Sequence, residues 1–305
     1  MTREEKNKKT ELDLEKKESQ STSEEVPKTS SFKKIIILIF LIGLSLLAYT
    51  RYVGTSGLII KDYPITSDSL PANFDGLKII QFSDVHYDSI INQNKLASIV
   101  ETINNEKPDI IVFTGDLYDE SLTITDDVKN ELVTTLSNLN APLGKYAVSG
   151  NHDYSSDQYQ NIITASGFTY LNSNSKLIYN NGKEPIEIVG YPSYLKDQPN
   201  YEYELSSYYK IALIHEPDAI DNLKDKNINI AFAGHSHGGQ VRFPFIGATY
   251  TPEGAKKYYN EHYTVNNTEL YVNYGLGTVL LRLRYFDHPS INLYRFYSTK
   301  NTSQS

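Results

Sequence analysis

Five of the chain's seven histidines fall in short polar clusters, each directly after a run of apolar residues. Ser83-Asp84-Val85-His86 follows the first run, Gly115-Asp116 the second and Gly150-Asn151-His152-Asp153 the third. His215 follows the fourth, and Gly234-His235-Ser236-His237-Gly238-Gly239 the fifth. Imidazole, carboxylate and amide oxygen are donors for divalent transition metals, and with no cysteine in the chain any metal must be held by nitrogen and oxygen. Asp84, His86, Asp116, Asn151, His215, His235 and His237 supply enough donors for two ions. Asp116, with two carboxylate oxygens, is the natural bridge between them.

Singly, most of these clusters mean little. Asp-x-His after a strand is commonly a turn with a surface imidazole, and Gly-Asn-His-Asp is a good turn sequence because Gly and Asn tolerate positive φ. Gly-His-Ser-His-Gly-Gly is harder to read that way, since its glycines allow backbone to approach a ligand closely. Their coincidence decides the matter. His262 and His288 lie outside the clusters and read as surface or packing residues.

Something must bring these clusters together. The apolar runs at 77–82, 109–114, 145–149, 186–190, 210–214 and 228–233 read as buried strands, and all but the one at 186–190 end in one of the clusters. Leu96, Ile99, Val100 and Ile103 form a stripe at helical spacing, as do Val128, Leu132, Val133, Leu136 and Leu139. Alternating strands and helices predict an α/β domain, in which the carboxyl ends of strands converge on a common crevice. A formal net charge of -8 argues against a nucleic-acid-binding protein, so an anionic substrate would depend on bound cations for its attraction.

Ahead of this domain, residues 1–34 are almost entirely polar and read as a disordered tail. Residues 35–51 hold the uncharged stretch Ile35 to Thr50, which as a helix spans roughly 24 Å. A cleaved signal peptide and a buried helix also fit such a run. The long charged lead-in and the lack of a small-x-small cleavage site favour an uncleaved signal-anchor. Lys28, Lys33 and Lys34 before it outweigh Arg51 and Lys61 after it, which places the N-terminus in the cytoplasm and the large domain outside the cell membrane. Residues 52–72 read as a linker and lead-in strand, 73–298 as the catalytic domain and 299–305 as a polar tail.

The ordered set Asp-x-His, Gly-Asp, Gly-Asn-His-Asp, His and Gly-His-x-His resembles the calcineurin-like metallophosphoesterase superfamily over residues 73–298. GHSHGGQVRFP and LYVNYGLGT look like its bacterial exported or membrane-anchored branch, which includes enzymes acting on UDP-diacylglucosamine. The resemblance implies a two-sheet β-sandwich flanked by helices, preceded here by one transmembrane helix. It implies one metal on Asp84, His86, Asp116 and His237, and another on Asp116, Asn151, His215 and His235. His152 would be catalytic, with Asp153 orienting its imidazole, and a metal-bound hydroxide would attack a phosphodiester, phosphomonoester or pyrophosphate. The metals would be manganese, with iron or zinc as alternatives. The substrate would be lipid-linked or a nucleotide-sugar, and no protein partner or nucleic acid is implied. Arg242, Arg282 and Arg284, and a tyrosine cluster at Tyr191, Tyr194, Tyr201, Tyr203, Tyr208 and Tyr209, are further candidates for the substrate groove.

Overall fold

The computed structural model describes residues 29–301 and isolated positions among the first sixteen. It divides at Tyr49 into two units. In the first, helix α1 (Thr29–Ala48) starts ahead of Ile35, so residues 29–34 are helical rather than part of the polar tail, whose remainder lies largely outside the described residues. The apolar stretch Ser31–Val53 is long enough to cross a bilayer.

The second unit begins with a π-helical turn (Tyr49–Val53) and carries fourteen strands among its described residues. In chain order they are β1 (Ile59–Ser67), β2 (Lys78–Phe82), β3 (Ile110–Phe113), β4 (Lys145–Ala147), β5 (Thr169–Tyr170), β6 (Asn174–Ile178) and β7 (Ile186–Gly190). There follow β8 (Tyr209–Leu213), β9 (Ile230–Ala233), β10 (Arg242–Phe243), β11 (Gly247–Ala248), β12 (His262–Val265), β13 (Thr268–Val272) and β14 (Ser290–Ser298). One six-stranded sheet has the order β1-β14-β2-β3-β4-β5 and the other β12-β13-β9-β8-β7-β6, with β10 and β11 a separate hairpin. The helices are α2 (Gln93–Asn105), α3 (Asp126–Ser137) and α4 (Tyr159–Ala165).

The central strands are buried on both faces, and period-two alternation divides their residues between layers. Ile79, Ile110 and Val112 face the space between the sheets, where they meet Ile188, Ile211, Leu213 and Phe232. Their neighbours Ile80, Ile111 and Phe113 face the helices and pack on Leu96, Ile99, Leu132 and Ile162. On the far side of the second sheet, Ala212, Ile214 and Ala231 pack on Ile220 and Leu223. This is the expected sandwich flanked by helices. The two longer helices are capped as their sequences dictate: Asn92 accepts the Lys95 N–H at 3.0 Å and Thr125 accepts that of Val128 at 3.3 Å. In each sheet a parallel block, β2-β3-β4 and β7-β8-β9, delivers its carboxyl ends toward the same edge of the sandwich.

Candidate metal centre

The polar clusters meet at that edge. Loops after β2, β3, β4, β8 and β9 bring Asp84, His86, Asp116, Asn151, His152, His215, His235 and His237 within contact of one another. Three overlapping groups have donor atoms close enough to share a cation: Asp84, His86 and His237; His86, Asp116 and His152; and Asp116, His215 and His235. The Oδ2 of Asp116 lies 3.6 Å from His86 Nε2 and 3.2 Å from His215 Nε2. His86 Nε2 and His237 Nε2 are 3.1 Å apart, and His237 Nε2 is 3.4 Å from Asp84 Oδ1. His215 Nε2 lies 3.2 Å from both Asn151 Oδ1 and His235 Nδ1.

The backbone is bent to make this possible. Asp84, His86, Asp116, His235 and His237 all have positive φ, between 42° and 66°. Non-glycine residues rarely adopt that conformation, and each instance costs on the order of 1–3 kcal/mol. Five such residues in one cluster of donors mark a site that the rest of the fold holds under strain. Gly115 and Gly150 let two of the loops touch: a Cβ on Gly115 would sit 2.7 Å from His215 Nδ1, and one on Gly150 would collide with the Asp116 carboxylate.

The imidazoles are prepared as ligands. His215 Nδ1 donates to the Thr114 carbonyl at 2.6 Å and His235 Nε2 to the Glu253 carbonyl at 2.6 Å, so each ring's other nitrogen faces the cluster. Burial pushes His86 and His235 down to about 3 and His237 well below the usual imidazole range, keeping these rings neutral. Burial alone would raise Asp116, but the imidazoles of His215, His152 and His86 hold it well below the ordinary carboxylate range. For His215, burial is outweighed by Asp116, which raises it. The Nδ1 atoms of His86 and His237 are buried without a hydrogen-bond partner among the described residues, while their Nε2 atoms converge with two carboxylates. Neutral imidazoles aimed at one another beside buried carboxylates leave polar groups unsatisfied, and a cation between them removes the conflict. The donor set fits divalent metal ions.

A family-model comparison matches residues 77–239 to the calcineurin-like phosphoesterases. The chain belongs to that family. The calcineurin-like phosphoesterases most similar to it include the uncharacterized metallophosphoesterase YkuE of Bacillus subtilis, 38% identical over 82% of this chain and 90% of the relative. The UDP-2,3-diacylglucosamine pyrophosphatase LpxG of Chlamydia muridarum is 27% identical over 73% of this chain and 84% of its own length. A dimetal phosphatase structure from Danio rerio overlaps 66% of the chain with a TM-score of 0.38, too slight a likeness to bear on mechanism. As a calcineurin-like phosphoesterase the protein is a metal-dependent phosphoric ester hydrolase, for which the clustered His and Asp residues imply two divalent ions.

Several expectations need correction. Asp153 does not hydrogen-bond to His152, whose Nδ1 is without a partner among the described residues. Its carboxylate instead accepts three backbone N–H groups: Asp116 at 2.9 Å, Leu117 at 2.8 Å and Gly150 at 2.8 Å. It therefore pins the loop after β3 to the loop after β4. Arg284 is fully buried, paired with Asp287 at 2.8 Å and donating to the carbonyls of Tyr274, Gly275 and Gly277. Arg242 is occupied by the Gly238 carbonyl and Asn260. Of the three arginines only Arg282 lines the cavity of about 560 Å³ over the centre. None of the clustered tyrosines does; Tyr191, Tyr194 and Tyr201 pack with the outer core of the second sheet. Tyr250 is the tyrosine that lines the cavity, with Pro252, Leu122, Val279 and Leu280 as its apolar companions and Asp88, Asp119 and Glu120 as an acidic wall. No spacing in the sequence announced these. His262, exposed and paired with Glu269 at 2.6 Å, is the surface residue expected.

Proposed function

We propose that the protein is a dinuclear phosphoesterase anchored in the cell membrane by α1, its N-terminus cytoplasmic and its catalytic domain outside. It hydrolyses a phosphodiester, phosphomonoester or pyrophosphate bond in a membrane- or envelope-associated substrate. The observation that carries this reading is the position of Asp116 Oδ2, which faces His86 on one side and His215 on the other and so belongs to both ligand groups. In this reading Asp84, His86, Asp116 and His237 hold one ion and Asp116, Asn151, His215 and His235 the other. Imidazole and carboxylate donors suit manganese, with iron or zinc as alternatives. Bound there, the cations supply charge neutralisation at the phosphoryl oxygens and lower the pKa of water toward about 7.

The protein's own part is positioning and proton transfer. His152 lies half-buried on the cavity wall, edge-on to His86 with ring centroids 4.7 Å apart. Its main-chain N–H donates to Asp116 Oδ1 at 2.9 Å, so its backbone is fixed while its ring addresses the cavity. From there it delivers a proton to the departing oxygen. Asp153, through its three N–H acceptances, keeps Asp116 and Asn151 in register. The Chlamydia relative, by its name, cleaves the pyrophosphate of UDP-2,3-diacylglucosamine. That likeness supports a lipid-linked or nucleotide-sugar phosphoester as the substrate class here.

The test is hydrolysis of bis-p-nitrophenyl phosphate by the full chain in detergent, with manganese added or chelated, beside Asn151→Ala and His152→Ala. We expect metal-dependent turnover, a fall of about 10²–10⁴-fold in kcat for His152→Ala with metal still bound, and loss of metal binding for Asn151→Ala. Turnover that survives chelation, or an unaffected His152→Ala variant, would overturn the reading.

A further inference from the structure

One wall of the cavity has an outer side that hydrolysis does not explain. Residues 240–252 and 278–286 build this wall, contributing Tyr250, Pro252, Val279 and Leu280 to the cavity. The two segments are strapped together: Gln240 Nε2 donates to the Val279 carbonyl at 2.9 Å, the Val279 N–H returns to Gln240 Oε1 at 2.6 Å, and the Arg242 N–H reaches the Tyr285 carbonyl at 2.9 Å. On their outer side they hold Phe245 entirely in solvent, with Ile246, Leu281 and Phe286 each more than 60% exposed. Phe245, Leu280 and Phe286 have φ of 68°, 58° and 51°, a costly conformation for bulky residues. Bulky apolar side chains on costly backbone thus stand in solvent here, where burial returns nothing to the fold.

The place where the chain reaches the anchor identifies what covers them. The turn Tyr49–Val53 docks on the same wall: the Tyr49 ring stands edge-on to Tyr285 at 6.4 Å, and the Thr50 carbonyl accepts the Arg284 N–H at 3.0 Å. Tyr49 is bonded directly to Ala48, the last residue of the apolar helix. Arg51, Lys95 and Arg282, with Asp88 as the one acidic residue, line an adjoining cavity of about 310 Å³, which brings net positive charge beside the same wall. Exposed aromatic and aliphatic tips beside basic side chains are the composition of an interfacial membrane-binding surface.

We infer that this edge is a bilayer-docking surface. Phe245, Ile246, Leu281 and Phe286 sink into the boundary between head groups and acyl chains, and the cavity opens onto the membrane plane. The substrate class is then a phosphoester whose other end is held in lipid, reached without leaving the bilayer. This rests on the reading of the chain as an anchored hydrolase.

The chain contains no tryptophan, so a single Trp is a clean reporter. Phe245→Trp, Leu281→Trp and, as a control, Tyr179→Trp are placed in the full chain and reconstituted in phosphatidylcholine–phosphatidylglycerol vesicles with brominated or plain acyl chains. Tyr179 follows Ile178, which pairs with the first residue of β7, so it lies at the end of the sheet opposite the metal centre. Positions 245 and 281 should emit to the blue and be quenched by bromine, whereas 179 should do neither. The double variant Phe245→Asp with Ile246→Asp should keep its turnover of bis-p-nitrophenyl phosphate in detergent and lose about tenfold on vesicle-borne hexadecyl p-nitrophenyl phosphate. Reporters at 245 and 281 that behave like 179 would refute the docking surface even in an active enzyme. Quenching in a chain that hydrolyses nothing would uphold it and sink the hydrolase reading instead.

Discussion

The two halves of the metal centre are held in different ways. On the Asp116 side, both imidazoles lean on main-chain carbonyls, His215 on Thr114 and His235 on Glu253. On the Asp84 side, the Nδ1 atoms of His86 and His237 have no such support among the described residues, while their Nε2 atoms meet the carboxylates and each other. A ring fixed by its second nitrogen is oriented before any cation arrives. A ring without that bond is oriented by the cation. The contrast assigns preorganisation to one half and metal-driven assembly to the other.

The hardest way to break the comparison is to remove what the halves share. Asp116→Asn takes the anionic oxygen from both groups while preserving shape and the His152 N–H contact. Several kcal/mol of transition-state stabilisation depend on the ions it holds, so kcat/KM for a phosphodiester should fall by about 10³-fold or more, with less than two equivalents of metal bound. A variant that keeps two tightly bound ions would show that the halves are not joined at Asp116.

Protons sharpen the contrast next. Because Asp116 raises His215 well above the usual imidazole range, His215 carries a proton at neutral pH that a cation must displace. Burial raises Asp84 to about 6, so it adds a second proton to displace only at pH values below about 6. Metal affinity should therefore fall as pH falls, by about tenfold per unit near neutrality and more steeply below pH 6. Calorimetry of metal loading in buffers of different ionisation enthalpy counts the protons released. A count near zero at pH 7 would mean that His215 is not charged.

Stability in chelator separates the halves by direction. His215→Leu strips the partner from the Thr114 carbonyl and from Asp116, and should destabilise the chelated protein by roughly 3 kcal/mol. His86→Leu removes a buried ring nitrogen that has no partner and should cost less than about 1 kcal/mol or stabilise. Thermal unfolding in chelator reads both. Equal losses would erase the distinction.

How much of this was legible in the sequence follows from the same physics. The strands that carry the donors announce themselves because they are buried on both faces and read as apolar runs. β14 does not: its Asn292 is buried and bonded to Tyr294 and Asn273, and polar residues in a core break the pattern that marks a strand. The short β10-β11 hairpin, two residues a side, is below any periodicity. For the centre, the donors were visible as types and spacing. What held them was not, because Thr114, Glu253 and the N–H groups on Asp153 act through main chain, which every residue has. The exposure of Phe245 and Leu281 likewise has no mark in the sequence, where an apolar residue looks the same whether the fold turns it inward or outward.

The smallest expected effect tests whether the Asp84 half, lacking carbonyl braces, has a brace of another kind. Tyr294 donates to Gln81 at 2.6 Å, Asn292 to Tyr294 at 2.9 Å, Asn273 to Asn292 at 3.0 Å, and Ser83 stands between Asn273 and the Asp84 carboxylate. Ser83 has a single hydroxyl proton, and of its two acceptors, Asn273 Oδ1 and the Asp84 carboxylate, the closer and charged one takes it. Ser83→Ala removes that donor and leaves Asp116, His215 and His235 untouched. One step of a two-step metal isotherm should weaken by about 10–100-fold while the other stays in place. If both steps shift together, the buried network serves the whole centre, and the Asp84 half has no brace of its own.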